Sequence, residues 1–268
     1  MVKGLYTAYT GMVNEQRRLD TITNNLANSN TTGFKKEGMV AQSFDERLAI
    51  KIKDTSALAN RPEGIGYISL GAKVGETYTN WDQGAFQITD KPSDVAIAGS
   101  GFFGIAYTNK AGETSVMYTR DGAFTVDADG YLRTSNGDYV LNSEGALNGQ
   151  YGEDYYVQID PALEYAIAAD GTITQDGEEV DTIGLVDIED YDYINKYGEN
   201  LYSLIDGGQV IEAENGYMEQ GMLESSNVNV VDEMVTMITI ARAYEAGQKM
   251  IQAEDETLDK TVNQVGQV

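Results

Sequence analysis

The chain has 268 residues, 41% of them hydrophobic, and a formal net charge of −25 at pH 7. It contains no cysteine and no histidine, which excludes disulfides and thiol chemistry and removes the commonest general base and transition-metal ligand. The acidic surface argues against nucleic acid and anionic membranes as partners, and no apolar run reaches the length of a membrane span.

The first segment predicts an amphipathic helix over Lys3–Ala27. Positions alternately four and three apart are mostly apolar, and this spacing is the heptad row of a coiled coil: Leu5, Tyr9, Met12, Gln16, Leu19, Thr23 and Leu26. The helix should stop in the turn-forming cluster 28–33. Because Thr7, Thr10 and Asn14 interrupt the apolar residues, the start is not a secretory signal. We therefore expect either a cytoplasmic chain or export without a cleaved signal peptide.

The segment 34–70 predicts a connection or hinge. Apolar and basic residues alternate over 47–53, which indicates a short strand. Arg61, Pro62 and the glycines around them favour a loop.

The region 71–216 predicts an all-β domain, because short alternating runs are separated by dipeptides that favour tight hairpin turns. These turns are Asp121-Gly122, Asp129-Gly130, Asn136-Gly137, Asp170-Gly171 and Asp176-Gly177. The stretch 144–219 has nineteen acidic residues and a single base, Lys196. We interpret it as a highly solvated surface in preference to a specific cation site.

Three short patterns in this region suggest chemistry and are rejected. Gly99–Gly104 has the G-x-G-x-x-G spacing of a dinucleotide site, but a strand instead of the required helix should follow it. Asp127–Gly130 lacks the residues of a calcium loop and favours a hairpin turn. No carboxylate pair can be singled out as an acid–base couple. We therefore predict no catalytic residue, no cofactor and no metal site.

The last segment, 227–266, predicts one long helix of about 50 Å that begins after the N-cap Asn229. Its heptad row is Val230, Met234, Met237, Ala241, Tyr244, Gln248, Ile251, Asp255, Leu258, Val262 and Val265, and a second apolar row is Val231, Val235 and Ile238. Such a row needs a partner helix. The two terminal helices should pair with each other and with copies from neighbouring molecules. The alternative is two helices packed inside an ordinary monomer.

Polar residues interrupt both heptad rows one heptad apart, Gln16 and Thr23 in the first helix and Gln248 and Asp255 in the last. They either restrict the register of the coiled coil or face a solvated channel.

Both ends of the chain carry long motifs of one family. Residues 24–36 (NNLANSNTTGFKK) resemble the N-terminal signature of the bacterial flagellar basal-body rod and hook proteins, and residues 223–258 resemble their C-terminal signature. The stretches 93–104 and 118–141 resemble the family's central region. Gly247 and the acidic load depart from the family pattern. The resemblance implies an axial structural protein whose termini pair in the innermost helical layer of a tube, and whose partners are its own copies and other axial proteins.

Together these observations predict an α+β fold with long N- and C-terminal helices paired as a coiled-coil layer and a central all-β domain. The predicted parts are a helix at 1–33, a connector at 34–70, the β domain at 71–216 and a return segment with the last helix at 217–268. The predicted subunit-interface residues are Leu5, Tyr9, Met12, Leu19, Leu26, Val230, Met234, Met237, Ala241, Tyr244, Ile251, Leu258 and Val262.

The predicted function is that of a non-enzymatic rod subunit of the flagellar basal body that polymerises and transmits torque. It inserts in no membrane and uses no small-molecule substrate. The alternatives are a hook subunit of the same family and an acidic carbohydrate-active domain with helical oligomerisation arms.

Overall fold

The structure, a computed structural model, describes residues 2–51, 63–198 and 200–265. The helices of these residues are α1 (Val2–Ala27), α2 (Ser143–Asn148) and α3 (Val230–Lys260), with a π-helical turn at Thr261–Val265. The strands are β1 (Glu37–Ser43), β2 (Arg47–Lys51), β3 (Glu63–Ile68), β4 (Ala72–Thr79), β5 (Phe86–Ile88), β6 (Val95–Gly99), β7 (Phe102–Thr108), β8 (Thr114–Thr119), β9 (Phe124–Val126), β10 (Leu132–Thr134), β11 (Tyr139–Val140), β12 (Tyr165–Ile167), β13 (Thr172–Gln175), β14 (Glu178–Thr182), β15 (Leu185–Ile188), β16 (Ile194–Gly198), β17 (Leu201–Leu204), β18 (Val210–Glu212), β19 (Gly216–Gln220) and β20 (Met222–Glu224).

The chain forms two compact units. The helical unit comprises the described residues of 1–27, 36–80 and 229–268, and the β unit those of 28–35 and 81–228. The α+β class and the two long terminal helices are confirmed. The predicted four-part division stays a prediction, and the compact units group the residues differently. The strand β4 belongs to the helical unit, while β19 and β20 belong to the β unit.

In the helical unit, α1 packs against α3 and against the antiparallel pair β1–β4. The strand predicted over 47–53 is observed as β2, which pairs with β3. Most of the predicted loop near Arg61 lies outside the described residues, but Glu63 and Gly64 begin β3 instead of continuing a loop.

The β unit is built on a nine-stranded sheet in the order β16-β17-β8-β7-β11-β10-β9, to which β15 and β18 attach through β7. Both faces of this sheet are covered. Phe102 and Phe103 are both fully buried and belong to two different apolar clusters, since successive side chains of a strand point to opposite faces. One cluster includes Met218 of β19, and Trp81 packs against the other.

Four of the five predicted hairpin turns connect paired strands, and the fifth is wrong. Asp121-Gly122 joins β8 to β9, which do not pair with each other. The Asp121 carboxylate accepts hydrogen bonds from the Thr32 hydroxyl at 2.6 Å and the Ala123 N–H at 3.1 Å, and the Gly122 carbonyl accepts one from the Val95 N–H at 3.0 Å. This dipeptide therefore makes a long-range junction, which its local sequence does not reveal.

Candidate assembly surface

The inward face of α3 follows a row that alternates between three and four residues. Val230, Met237, Tyr244 and Ile251 are half-buried, and the positions between them are Glu233, Ile240, Gly247 and Glu254. Ile240 is only 2% exposed. The Asn229 side chain caps the helix by accepting a hydrogen bond from the Val231 N–H at 3.1 Å. The buried Glu233 pairs with Lys36, which fastens the first turn of α3 within the helical unit.

Much of the buried face of α1 is polar, because this helix contacts strands as well as α3. The Asn25 side chain donates to the Glu37 carbonyl at 2.8 Å and accepts from the Glu37 N–H at 3.0 Å, as a neighbouring strand would. Thr10 is buried beside Gly71, whose lack of a side chain leaves room for the threonine hydroxyl. Because polar side chains occupy part of this buried face, some of the apolar side chains of α1 lie on the outside of the helical unit.

Glycines lie where α1 and α3 approach each other. A Cβ atom on Gly247 would lie 2.6 Å from Cγ of Met12, and one on Gly4 would collide with the Glu254 carboxylate. These two contacts show that the helices run antiparallel, since the start of α1 lies beside the end of α3.

Each helix also presents an exposed apolar stripe. On α1 the stripe is formed by Tyr6, Tyr9 and Val13, and on α3 by Val231, Met234, Val235 and Ile238. Val231 is the most exposed residue of the α3 stripe, at 68%. The spacing of three and four residues puts each set on one side of its helix. Contiguous apolar surface of this kind marks an interaction site in a soluble protein.

In the β unit, three buried charged side chains join segments from both ends of the chain. Glu224 accepts hydrogen bonds from Lys35 Nζ at 2.6 Å and from the Gly84 N–H at 2.8 Å, and Arg120 Nη1 lies 3.5 Å from its second oxygen. Lys35, Glu224 and Arg120 are 0%, 2% and 3% exposed. We call Lys35, Arg120 and Glu224 the ion cluster.

The ion cluster is supported by backbone contacts. Lys35 also donates to the Asp82 carbonyl at 2.9 Å, and Arg120 donates to the Gly99 carbonyl at 2.9 Å. Burial lowers the pKa of Lys35, the Arg120 guanidinium lowers it further, and the Glu224 carboxylate opposes both effects. The Glu224 carboxylate thus contacts two buried cations, and the Asp82 carboxylate also raises the pKa of Lys35.

Gly33 allows the segment 28–35 to pack closely against the ion cluster. Its φ of 65° is a left-handed conformation, and a Cβ there would collide with the backbone of Arg120. Its N–H donates to the Glu224 carbonyl at 2.7 Å.

Comparisons with known proteins find matches that cover both long helices and much of the β unit. Family models match at residues 5–35 (flagella basal body rod protein), 96–175 (flagellar hook protein FlgE/F/G D1 domain) and 219–265 (flagellar basal body rod FlgEFG protein C-terminal). The chain is 34% identical over 280 residues to the flagellar basal-body rod protein FlgG of Bacillus subtilis, covering 98% of this chain and 99% of the relative. The FlgG of Borreliella burgdorferi is 35% identical over 96% of this chain and 97% of its own, and the FlgF of Caulobacter vibrioides is 33% identical over 100% of both.

The chain belongs to the family of flagellar basal-body rod proteins. The N-terminal signature of this rod-family chain contains Gly33, Phe34 and Lys35, all buried, and its C-terminal signature includes Glu224. The family's signatures therefore coincide with the ion cluster as well as with the helices. The central match extends to residue 175, beyond the stretch in which the sequence alone showed a resemblance.

The thirteen predicted interface residues of the rod-family chain are divided between two surroundings. Half-buried inside the unit are Leu5, Met12, Leu19, Leu26, Val230, Met237, Tyr244 and Ile251. Exposed are Tyr9, Met234, Ala241, Leu258 and Val262. Pairing of α1 with α3 along the two predicted rows is not confirmed, because α3 uses Glu233, Ile240 and Gly247 where Met234, Ala241 and Gln248 were expected. That these residues meet neighbouring subunits stays a prediction.

The polar residues of the predicted rows, Gln16, Thr23, Gln248 and Asp255, are all exposed in the single chain. Their role in register or in a channel stays a prediction.

The ion cluster is what sequence reasoning missed. The sequence around a lysine or a glutamate does not show that its side chain is buried. The one available signal is that Lys35 lies in the N-terminal signature and Glu224 in the C-terminal signature. Tyr6 was also missed, since it is outside the heptad row.

Two of the three patterns rejected from sequence have the local structure that is expected in their place. The glycines of 99–104 connect β6 to β7, so that no helix opens there for a pyrophosphate. Asp127–Gly130 forms a turn in which the Gly130 N–H donates to the Asp127 carbonyl at 3.0 Å.

No group of three or more acidic side chains among the described residues is arranged to hold a metal ion. Within those residues, no helix is long and apolar enough to cross a membrane.

Proposed function

We propose that this rod-family chain is a structural subunit of the bacterial flagellar basal-body rod, which polymerises with its own copies and other axial proteins and transmits torque. The exposed apolar stripes on α1 and α3 carry this proposal, in a chain similar to rod proteins over its whole length. A monomer would gain nothing from these stripes, whereas each large apolar side chain buried in an assembly contributes roughly 1.5–3 kcal/mol.

The proposed mechanism is mechanical. Many subunits share the load, and the interface residues of the two terminal helices pass it from one subunit to the next. No step in this function requires an acid–base pair, a cofactor or a metal, so we propose that the chain is not an enzyme. The proposal includes export without loss of an N-terminal signal, which the mass of protein taken from isolated basal bodies would test.

Genetic replacement tests the function. Deletion of the gene should give basal bodies whose rod stops short in electron micrographs, and the parent chain should restore the rod. A complete rod that lacks only the hook would favour the hook alternative, and sugar-dependent turnover by the purified chain would favour the carbohydrate-active alternative.

Two matched variants test the apolar stripe. Ile238→Asp should fold, with an unchanged circular dichroism spectrum, but should not restore rods or swimming. Ile211→Asp changes an exposed isoleucine of β18 in the β unit and serves as the control. Equal restoration by both variants would contradict the role of the α3 stripe.

A further inference from the structure

A groove with apolar walls and a cationic rim lies in the helical unit where α1 begins. It has a volume of about 450 Å³ and is lined by Lys3, Tyr6, Phe44, Asp45, Arg47 and Leu70. We call these six residues the basic groove. Tyr6, Phe44 and Leu70 supply apolar surface, and the side chains of Lys3 and Arg47 outnumber the single carboxylate of Asp45.

Hydrogen bonds hold the walls of the basic groove in place. The Thr7 hydroxyl donates to the Leu70 carbonyl at 3.2 Å, and the Phe44 N–H donates to the Gly71 carbonyl at 3.0 Å. The Ser69 hydroxyl donates to the Phe44 carbonyl at 3.1 Å. The groove is therefore formed before any partner arrives, which reduces the entropy cost of binding.

The first turns of α3 have complementary properties. Val231, Met234, Val235 and Ile238 are each at least 48% exposed, and the exposed carboxylate of Asp232 lies beside them. We call these five residues the apolar turn. The neighbouring Glu233 is already paired with Lys36, so Asp232 is the carboxylate of this turn that remains at the surface.

The basic groove and the apolar turn lie at opposite ends of one helix pair. The start of α1 lies beside Glu254, which is 22 positions beyond Asp232 and hence about 33 Å away along α3. A chain cannot fill its own groove with its own apolar turn across that distance. Two different complementary surfaces at opposite ends produce a head-to-tail contact that repeats from copy to copy, and it gives an open filament when the rotation between copies does not close a ring.

From this arrangement we infer that the basic groove of one copy binds the apolar turn of α3 of the next copy, with Asp232 facing Lys3 and Arg47. The inference rests on the proposed polymerisation and adds to it a specific contact with a direction. The side chains of Val231 and Val235 fill the space between Tyr6, Phe44 and Leu70. The charges at the rim select the partner and its orientation.

The absence of natural cysteine allows a direct test by cross-linking. The full chain carrying Tyr6→Cys and Val235→Cys should give a ladder of disulfide-linked oligomers on mild oxidation, in concentrated protein and in isolated basal bodies. Each single variant should give dimers at most. Disulfides between two like positions also produce a ladder, so the linked peptides are identified by mass spectrometry. Because a disulfide requires Cβ atoms within about 4.5 Å, a disulfide between positions 6 and 235 requires that groove and turn of different copies meet.

Charge reversal gives a second readout. Arg47→Glu and Asp232→Arg should each weaken self-association about tenfold or more in sedimentation, because like charges then meet at the rim. An equimolar mixture of the two variants should recover association, since one contact of each alternating pair is that of the parent and the other has both charges reversed. The double variant should recover association, and Asp206→Arg, which changes an exposed acid of the β unit, should behave like the parent.

The outcomes separate this contact from the proposed function. The contact is overturned, and the rod function left standing, if the parent chain assembles but the double cysteine variant gives no ladder and the charge-reversal variants associate like Asp206→Arg. A parent chain that is monomeric at every concentration and absent from basal bodies overturns both.

Discussion

At the scale of single residues, the buried charges of Lys35, Arg120 and Glu224 make the stability of the β unit sensitive to the loss of any one of them. Removing ions from water is costly, and the attraction between partners compensates this cost only when the geometry and the additional hydrogen bonds are good. The geometry is good for Lys35, whose Nζ lies 2.6 Å from Glu224, whereas Arg120 Nη1 lies 3.5 Å away. The additional hydrogen bonds are present, since Glu224 also accepts from the Gly84 N–H and both cations donate to backbone carbonyls. Loss of one partner should therefore cost much more than the pair contributes.

Glu224→Gln should destabilise the β unit by about 3 kcal/mol or more, because it leaves two buried cations without their carboxylate. The only tryptophan, Trp81, packs against Phe102 and Tyr202 and reports on this unit by fluorescence during denaturant unfolding. Glu212→Gln, on the exposed side of β18, is the matched control and should be nearly neutral. Adding Lys35→Met to Glu224→Gln should cost less than the sum of the single changes, and additive costs would contradict the ion cluster.

Asp121 gives the β unit a pH dependence. Burial raises its pKa above the usual 3.8, while hydrogen bonds from Thr32 and Ala123 oppose the shift. A carboxyl whose pKa is higher in the folded state stabilises fully below its unfolded value, and this stabilisation is lost as the pH rises through the folded value. The stability of the parent chain relative to Asp121→Asn should therefore fall from about pH 4 towards neutrality in Trp81 unfolding curves. A difference that is constant with pH would show that Asp121 titrates normally.

At the scale of elements, the sequence predicts the terminal helices well and their faces poorly. The start of α3 after Asn229 and the end of α1 at Ala27 agree with the structure, because capping and turn residues act locally. The heptad rows agree only in part, because an apolar pattern shows which side chains avoid water but not which neighbour covers them. Gly247 and Glu233 face inward without any apolar signal, whereas Met234 is exposed.

The close approach at Gly247 leads to a prediction about the helix pair. Gly247→Leu should place a bulky side chain against Met12 and destabilise the helical unit by about 1–3 kcal/mol, as overpacking does. The melting temperature followed at 222 nm should fall, while Trp81 fluorescence should report an unchanged β unit. Ala246→Leu, at the adjacent exposed position, is the control and should leave both signals unchanged. If both leucine variants melt like the parent, α1 and α3 do not meet at Gly247.

At the scale of the whole molecule, the sequence shows an α+β chain with a central β region but not which segments form one compact unit. The strand content follows from alternation and turn residues. The grouping does not, since β6 pairs with β19 more than a hundred residues away and the signature segment 28–35 inserts beside Arg120. Such long-range pairings leave no periodic signal near either partner. The predicted boundary at residue 216 reflects this, because it falls at the beginning of β19.

Truncation tests how the β unit is completed. A fragment of residues 28–228 contains every segment of that unit and should unfold cooperatively by Trp81 fluorescence. A fragment of residues 28–216 loses most of β19, with the buried Met218 that packs on Val95 and Ile97, and it also loses Glu224. Its core would then be open to water along β6, and Lys35 and Arg120 would lose the Glu224 carboxylate. We expect this shorter fragment to show no cooperative transition. Equal stability of the two fragments would mean that residues 217–228 are an appendage of the β unit, and that its core closes without the C-terminal signature.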